Sequence, residues 1–185
     1  MTEYRLTFSN DIYPDTVTIF KNQLCNILAL NDVENLIVLF SSDGGSTDQS
    51  VALYTFIQSI NFPIHMHAIG HIGSVAIPVF LSADKRTADP KARFFFHEYH
   101  WTFDGQQTLN RINESVQRLR NDIDVAQEII REKTEVSDDV IMAIDGNRPP
   151  ALLQSTEALE VGIINDILNL EKVGSNGSKV QNWSA

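Results

Sequence analysis

The sequence predicts an α/β fold in which parallel strands alternate with helices. Three short apolar runs rich in branched or aromatic residues, at 36–40, 64–69 and 92–99, have the composition of strands covered on both faces. Segments between the first two runs and after the second carry apolar residues at helical spacing. Because consecutive strands joined through helices pair in parallel, these elements predict one parallel sheet with helices on its faces.

The first predicted strand and helix meet at a polar break that contains two glycines. The strand covers 36–40 and ends at SSDGG, residues 41–45. Ser46 followed by Gln49 predicts a capping box at the start of a helix, and Pro63 ends that helix. The apolar residues that recur at helical spacing are Val51, Tyr54, Ile57 and Ile60.

The second and third strands frame a short buried helix. The strand at 64–69 is followed by residues 70–73, which we interpret as a turn, and residues 75–83 predict a helix. Pro78 is tolerated there because it lies near the first turn. The third strand is predicted over 92–99, ARFFFHEY.

The segment 106–133 predicts one helix that is longer than a compact domain usually needs, and its apolar stripe requires a partner surface. A further helix starts near Ser155, and 162–168 predicts a closing strand. We therefore expect a single domain over 1–170 and a flexible tail over 171–185. The stripe consists of Leu109, Ile112, Val116, Leu119, Ile123, Ala126 and Ile130.

Composition narrows the class of protein. A formal net charge of −10 disfavours a nucleic-acid partner, because no basic patch is available to displace counterions from phosphates. The single cysteine, Cys25, cannot form an internal disulfide, which suits a reducing compartment. Residues 1–11 hold no apolar signal core, and no apolar run approaches membrane-spanning length. We expect a soluble, cytoplasmic protein without a membrane partner.

Ser74 is the candidate nucleophile. It follows Gly70 and Gly73, between the second strand and the next helix. Residues at the carboxyl ends of adjacent parallel strands collect at one edge of a sheet, so 41–45 and Ser74 should lie together. A helix N-terminus favours developing negative charge, but a serine needs a base within hydrogen-bond reach. The alternative is that Ser74 only caps its helix.

Four segments carry a resemblance to a known family. In order, they are FSSDGG at 40–45, GHIGSVA at 70–76, KRTADPKARFFFHEY at 85–99 and STEALEVGIIND at 155–166. Over residues 33–168 the chain resembles the Clp protease proteolytic subunit family, serine peptidases of the ClpP/crotonase superfamily. The resemblance implies a βαβ superhelical spiral, with 106–133 as a long protruding handle helix that packs against a partner ring.

On this resemblance, Ser74 matches the nucleophile and His97 the general base. Gly45 and Val75 match the residues whose backbone N–H groups form the oxyanion hole. We assign no cofactor and no metal to this site. From the residues alone, His97 has the alternative of a satisfied core histidine on a buried strand. His100 would face the other side of that strand and is the weaker candidate.

His65 and His67 alternate on one predicted strand, which raises the question of a metal pair. No carboxylate or cysteine cluster accompanies them in the sequence, and protein metal sites use three or more ligands. We therefore assign no metal to this pair.

The third triad member is where the sequence departs from the family pattern. The family's aspartate, which orients the histidine, falls at Pro150, and proline cannot accept the imidazole proton. Asp145 would serve only if the chain slips by several residues, and Asn147 is a weaker substitute. Glu98 neighbours His97 but should face the opposite side of the strand. The third member therefore stays open.

The sequence predicts a serine endopeptidase that cleaves peptides or unfolded polypeptides by acyl-enzyme chemistry inside a homo-oligomeric chamber of stacked rings. Two alternatives remain: a catalytically silent scaffold or ring subunit, motivated by Pro150, and a crotonase-type acyl-CoA enzyme, which shares the fold. The family's N-terminal segment, which lines the axial pore, is expected to be short or absent because the first clear strand begins at Leu36. The substrate, an ATPase partner and the subunit number stay open.

Overall fold

A computed structural model describes residues 3–30, 32–103, 105–170 and 182–184 of the chain. In this part the strands are β1 (Glu3–Ser9), β2 (Asn35–Ser42), β3 (His65–Gly73), β4 (Lys85–Ala88), β5 (Arg93–Phe96), β6 (Ala151–Gln154), β7 (Asp166–Ile167) and β8 (Asn182–Ser184). The helices are α1 (Pro14–Leu28), α2 (Thr47–Gln58), α3 (Ala76–Leu81), α4 (Leu109–Lys133), α5 (Asp138–Ile141) and α6 (Ser155–Glu160).

These strands form one sheet with the order β6-β5-β3-β2-β1-β8, and β4 pairs with both β3 and β7. The β5–β6 pair is antiparallel, and the other pairs among the described strands are parallel. The predicted mixed α/β class with a parallel sheet is therefore confirmed. Of the predicted tail, 171–181 and 185 lie outside the described residues, and Asn182–Ser184 pairs with β1.

Three predicted boundaries are corrected by the strand pairing. Residues 70–73 are not a turn, because β3 continues through Gly73 and its last three residues pair with β5. β5 ends at Phe96, so His97 lies beyond the strand. The predicted closing strand shrinks to Asp166–Ile167. In each case a partner strand decides where the ladder ends, and a local pattern does not contain that information.

Elements β1, α1, β4, α5, β6 and β8 were not predicted. Their signals are present but modest: in α1 the buried residues Val17, Phe20, Leu24 and Ile27 recur at helical spacing. The strands β4 and β6 have four residues each, which is too short for a pattern to stand out. Of the capping box predicted for α2, the serine half is present, since the Ser46 hydroxyl accepts a hydrogen bond from the Gln49 N–H at 3.4 Å, while the Ser46 N–H donates to the Ile12 carbonyl.

A line of phenylalanine rings forms the centre of the core. Phe8 stacks on Phe40 at 5.2 Å and meets Phe20 edge-on at 5.3 Å. Phe80 of α3 contacts both Phe40 and Phe94, at 6.3 and 5.5 Å between ring centroids. All six residues of α3 are buried. The helix that begins beside Ser74 is therefore held rigidly between the sheet and its neighbouring helices.

The long helix α4 is only partly covered by its own domain. Its C-terminal half packs inward, with Ala126 and Ile130 buried. Its N-terminal half exposes apolar side chains: Leu109 is 72% exposed, Ile112 39% and Val116 40%. Among the described residues, no helix is both long and apolar enough to cross a membrane. The predicted stripe is thus buried at one end of α4 and bare at the other.

Candidate active site

A cleft of about 560 Å³ lies where the carboxyl ends of β2, β3 and β5 meet. Each strand delivers candidate residues just past its end: β2 is followed by Gly44 and Gly45, β3 by Ser74 and Val75, and β5 by His97. All five of these residues line the cleft. The parallel order β2-β3-β5 is what brings together residues that are far apart in the sequence.

Ser74 adopts an unusual backbone conformation. Among the described residues it is the one non-glycine residue with a positive φ, at +54°. Its N–H donates to the Phe95 carbonyl at 3.0 Å, and its carbonyl accepts from the Ile77 N–H at 3.1 Å. A non-glycine residue in this region is strained, and such strain concentrates at functional sites. The N-cap of α3 is Val75, without a side-chain cap, so Ser74 does not cap the helix.

Gly44 and Gly45 form a tight strand-like passage beside Ser74. The Ile12 N–H donates to the Gly44 carbonyl at 2.7 Å, and the Ser46 N–H donates to the Ile12 carbonyl at 2.8 Å. Backbone N–H groups alternate sides along an extended segment, so the Gly45 N–H points away from Ile12. A Cβ on Gly44 would lie only 2.7 Å from the Ser74 Cβ.

Two backbone N–H groups are therefore candidates for an oxyanion hole. Neither the Gly45 nor the Val75 N–H makes a hydrogen bond within the described part of the chain. The Val75 N–H lies at the N-terminus of α3, where the first N–H groups have no acceptor within the helix. Both residues line the same cleft as Ser74. Unpaired N–H donors in a cleft can stabilise negative charge that develops on a substrate oxygen.

His97 is half-buried at the edge of the cleft. Its ring stacks on Phe95, with 5.1 Å between centroids and 27° between planes. Burial lowers the pKa of His97, a hydrogen bond with the Glu98 backbone raises it, and nearby His100 and His71 lower it. The imidazole is therefore neutral near pH 7 and able to accept a proton. No Ser74–His97 hydrogen bond is found among the described residues, and catalytic hydrogen bonds commonly tighten only when substrate binds.

The position expected for the triad acid lies next to the end of the β5–β6 pair. In this antiparallel pair Phe96 is opposite Ala151, and His97 and Pro150 are the residues that directly follow and precede these two in the chain. Asp145 is engaged elsewhere: its carboxylate accepts from the Gln127 amide at 3.3 Å and from the Asn147 N–H at 2.9 Å. No hydrogen bond or ion pair between Asp145 and His97 is found among the described residues. The slip that would bring Asp145 to the histidine is therefore absent from this structure.

Because β5 ends at Phe96, Glu98 and His100 do not take the alternating positions expected of strand residues. Glu98 turns to Gly146, where an added Cβ would meet its carboxyl carbon at 2.9 Å. His100 lines the cleft beside His97, so the prediction that it faces the other side is wrong. That prediction assumed a strand up to residue 99, whereas β5 ends at Phe96.

His71 is a residue that sequence reasoning missed. Its ring contacts Phe95 at 5.9 Å, and its Nε2 lies 3.7 Å from the Asp43 Oδ1. Asp43 also lines the cleft. The available signal was the position of His71 in GHIGS, three residues before Ser74.

His65 and His67 share a hydrogen-bond partner. Both rings contact the Thr87 hydroxyl, at 2.8 and 2.7 Å. Burial lowers the pKa of His65 to about 4 and also lowers that of His67. Within the described residues no three His, Cys, Asp or Glu side chains group as metal ligands would. The two histidines thus belong to a buried polar network in the sheet.

Helix α4 reaches the cleft through polar contacts near its middle. Arg118 donates to the Asp48 carboxylate at 2.5 Å and lies over the Trp101 ring at 5.3 Å. Asp48 and Trp101 both line the cleft. One turn further, the buried Asp122 accepts a hydrogen bond from the Thr47 hydroxyl at the start of α2. The wall of the cleft is therefore attached to the long helix.

Comparison with known proteins gives a consistent result along the chain. The family model described as Clp protease matches residues 2–171. The ATP-dependent Clp protease proteolytic subunit 1 of Tropheryma whipplei (strain Twist) is 31% identical over 157 residues, which cover 80% of this chain and 72% of the relative.

Two more distant relatives carry the same name. The ATP-dependent Clp protease proteolytic subunit of Pleurastrum terricola is 23% identical over 172 residues, covering 92% of this chain and 85% of the relative. Subunit 1 of Chlamydia trachomatis serovar D is 25% identical over 177 residues, covering 89% and 85%. Because the family match runs through β1 to β7 as well as the cleft, the chain belongs to the Clp protease family of peptidases.

Proposed function

We propose that this protein is a serine endopeptidase that cleaves peptides or unfolded polypeptides through an acyl-enzyme. The observation that carries the proposal is Ser74, held at φ +54° in a cleft that also holds two unpaired N–H groups and a neutral histidine. Acyl transfer needs a nucleophile, a base and donors for the oxyanion. Membership of the Clp protease family supports the same assignment.

The proposed reaction follows from the position of each group. The Ser74 Oγ attacks the scissile carbonyl while His97 takes its proton, and the carbonyl oxygen becomes an oxyanion that accepts from the Gly45 and Val75 N–H groups. Collapse of this intermediate breaks the C–N bond, and His97 returns the proton to the leaving amine. Water then attacks the acyl-enzyme with His97 again as base, which releases the acid and restores Ser74.

The absence of an acid at position 150 predicts a slow enzyme. An aspartate beside the catalytic histidine holds the correct tautomer and stabilises the imidazolium, and its loss from a triad costs about 10⁴-fold in turnover. Pro150 offers neither effect. Most of the rate would then come from the oxyanion donors and from substrate binding, which retain about 10³- to 10⁴-fold catalysis over water in other triads.

We propose further that the chain works as a homo-oligomer in which the exposed half of α4 acts as a handle. Leu109, Ile112 and Val116 present a continuous apolar stripe, and large bare apolar patches mark interaction surfaces. Clp protease subunits generally form oligomeric rings, which supports a chamber built from copies of this chain. Light scattering that shows a monodisperse monomer at micromolar concentration would exclude this assembly.

A second candidate function, a catalytically silent scaffold or ring subunit, is favoured by Pro150 alone. The two candidates differ in whether Ser74 reacts. A serine-directed fluorophosphonate should label wild-type protein at Ser74, while Ser74→Ala is not labelled and stays folded and assembled, because only a hydroxyl is lost. His97→Ala should slow labelling strongly, since the base is removed. Ser59→Ala, at an exposed helix end, is the matched control and should label like wild type.

If wild-type protein is not labelled, or if His97→Ala reacts as fast as wild type, the peptidase proposal fails. An unlabelled but assembled ring would be the scaffold. Mapping the labelled site by mass spectrometry separates reaction at Ser74 from reaction at any other hydroxyl.

A further inference from the structure

Strand β5 sorts its phenylalanines onto two faces. Successive side chains of a strand alternate, so Phe94 and Phe96 share the face that is fully buried in the core. Phe95 points to the other face, and the His97 ring lies against it just past the end of the strand. Their rings meet at 5.1 Å with 27° between the planes, which is an offset stack rather than an incidental approach.

Phe95 is itself held from a second side. The His71 ring of the neighbouring strand β3 contacts it at 5.9 Å. His71 fits there because residue 73 is glycine: a Cβ on Gly73 would lie 2.8 Å from the His71 Nε2. The rings of His71, Phe95 and His97 therefore follow one another across two paired strands.

The backbone of Phe95 contacts the nucleophile. Its carbonyl accepts the hydrogen bond from the Ser74 N–H at 3.0 Å, and this bond helps to hold the strained conformation of Ser74. One residue thus contacts the proposed nucleophile through its backbone and the proposed base through its ring. A displacement of Phe95 would move both groups.

We propose that Phe95 is a positioning residue that holds the His97 imidazole in the orientation an acidic triad member would otherwise impose. The inference rests on the proposed peptidase function. The structure gives Phe95 this role for two reasons. Position 150, where the family pattern places the triad acid, carries a proline directly before β6, and no carboxylate is bonded to His97 in the described part of the chain. Among the described residues, the stack on Phe95 is the ring contact that the His97 imidazole makes.

The test measures the rate at which a fluorophosphonate labels Ser74, per folded molecule, in position-95 variants. Phe95→Leu keeps the backbone bond to Ser74 but removes the aromatic face, so labelling should slow about 10- to 100-fold, the loss typical of a misplaced catalytic group. Phe95→Tyr keeps the ring and should remain within about threefold of wild type. Phe62 is also partly buried, but it lies just before the start of β3, at the opposite end of that strand from Ser74. Phe62→Leu therefore controls for a general loss of packing and should not slow labelling.

A second background separates positioning from stability. Pro150→Asp places an aspartate next to the end of the β5–β6 pair to orient His97, so adding Phe95→Leu to it should cost much less than in wild type. An equal loss in both backgrounds, or a loss in Phe95→Tyr as large as in Phe95→Leu, overturns the inference. So does wild-type labelling in Phe95→Leu. Failure of the peptidase proposal looks different, because wild-type protein is then unlabelled or indifferent to His97→Ala.

Discussion

Replacing Gly44 with alanine should slow the reaction of Ser74 by displacing this nucleophile. The new Cβ would lie 2.7 Å from the Ser74 Cβ and 3.2 Å from its Oγ. Ser74 cannot easily move away from the new methyl group, because its N–H is hydrogen-bonded to the Phe95 carbonyl and its carbonyl to the Ile77 N–H. The alanine therefore has to push Ser74 or the glycine passage out of place.

The size of the effect follows from the distances. Relaxing the Cβ–Cβ contact from 2.7 Å to an ordinary distance of about 3.4 Å requires a shift of about 0.7 Å. A misplacement of about 1 Å can cost about 10²-fold in catalysis, so we expect labelling of Ser74 to slow between about 10- and 100-fold. Alanine at φ +111° also adds backbone strain of about 1–3 kcal/mol, which lowers the free energy of unfolding.

Strain and displacement are separated by a matched control. Gly162 also has a positive φ, +72°, but a Cβ there would meet nothing within 4 Å. Gly162→Ala should lose about 1–2 kcal/mol of stability yet label at the wild-type rate per folded molecule. Stability is measured by chemical denaturation and reactivity by fluorophosphonate labelling. If Gly44→Ala labels at the wild-type rate per folded molecule, the reasoning that the glycine makes room for Ser74 is refuted.

Three other outcomes are expected. Because the pKa of His97 is lowered, labelling should persist on acidification past the ordinary imidazole value of about 6.5 and fall only below it; an inflection above that value contradicts the assignment. Asp145→Asn should leave the labelling rate unchanged, since Asp145 binds Gln127 and not His97; a loss of several orders of magnitude would restore it as the triad acid. Burial lowers the pKa of His65 to about 4, so between about pH 6.5 and 4 the unfolded chain binds a proton at His65 that the native state does not bind. The free energy of unfolding should therefore fall as the pH is lowered from about 6.5 to about 4, and it should fall less steeply in His65→Gln. Chemical denaturation at several pH values measures this dependence.

Much of the site was predictable because its elements have local signatures. The apolar run 36–40 and the break at Gly44 and Gly45 mark a strand end in any buried parallel sheet. The run into Ser74 and the following buried helix mark a second. Once two such ends are assigned to neighbouring parallel strands, their meeting at one edge follows from the fold class.

The presence of the long helix α4 was also predictable from a local pattern, but the surface that it buries was not. Its stripe recurs at helical spacing, so its existence followed from the sequence. Which part of the stripe is covered depends on where α4 crosses the domain. Ala126 and Ile130 are buried while Leu109 and Val116 are exposed, and no local feature distinguishes them.

The sequence by itself determined the α/β class, the presence of the two strands that lead into the cleft and the choice of Ser74 as candidate nucleophile, because these depend on patterns within a few residues. Where β3 ends was decided by its pairing with β5. The tertiary structure alone decided that Ser74 has a positive φ, that His97 stacks on Phe95 and that β5 pairs with β6 with Phe96 opposite Ala151. Those features depend on the register between strands that are distant in the sequence. Register is set by how whole side-chain faces pack together, so a single segment of the chain does not encode it.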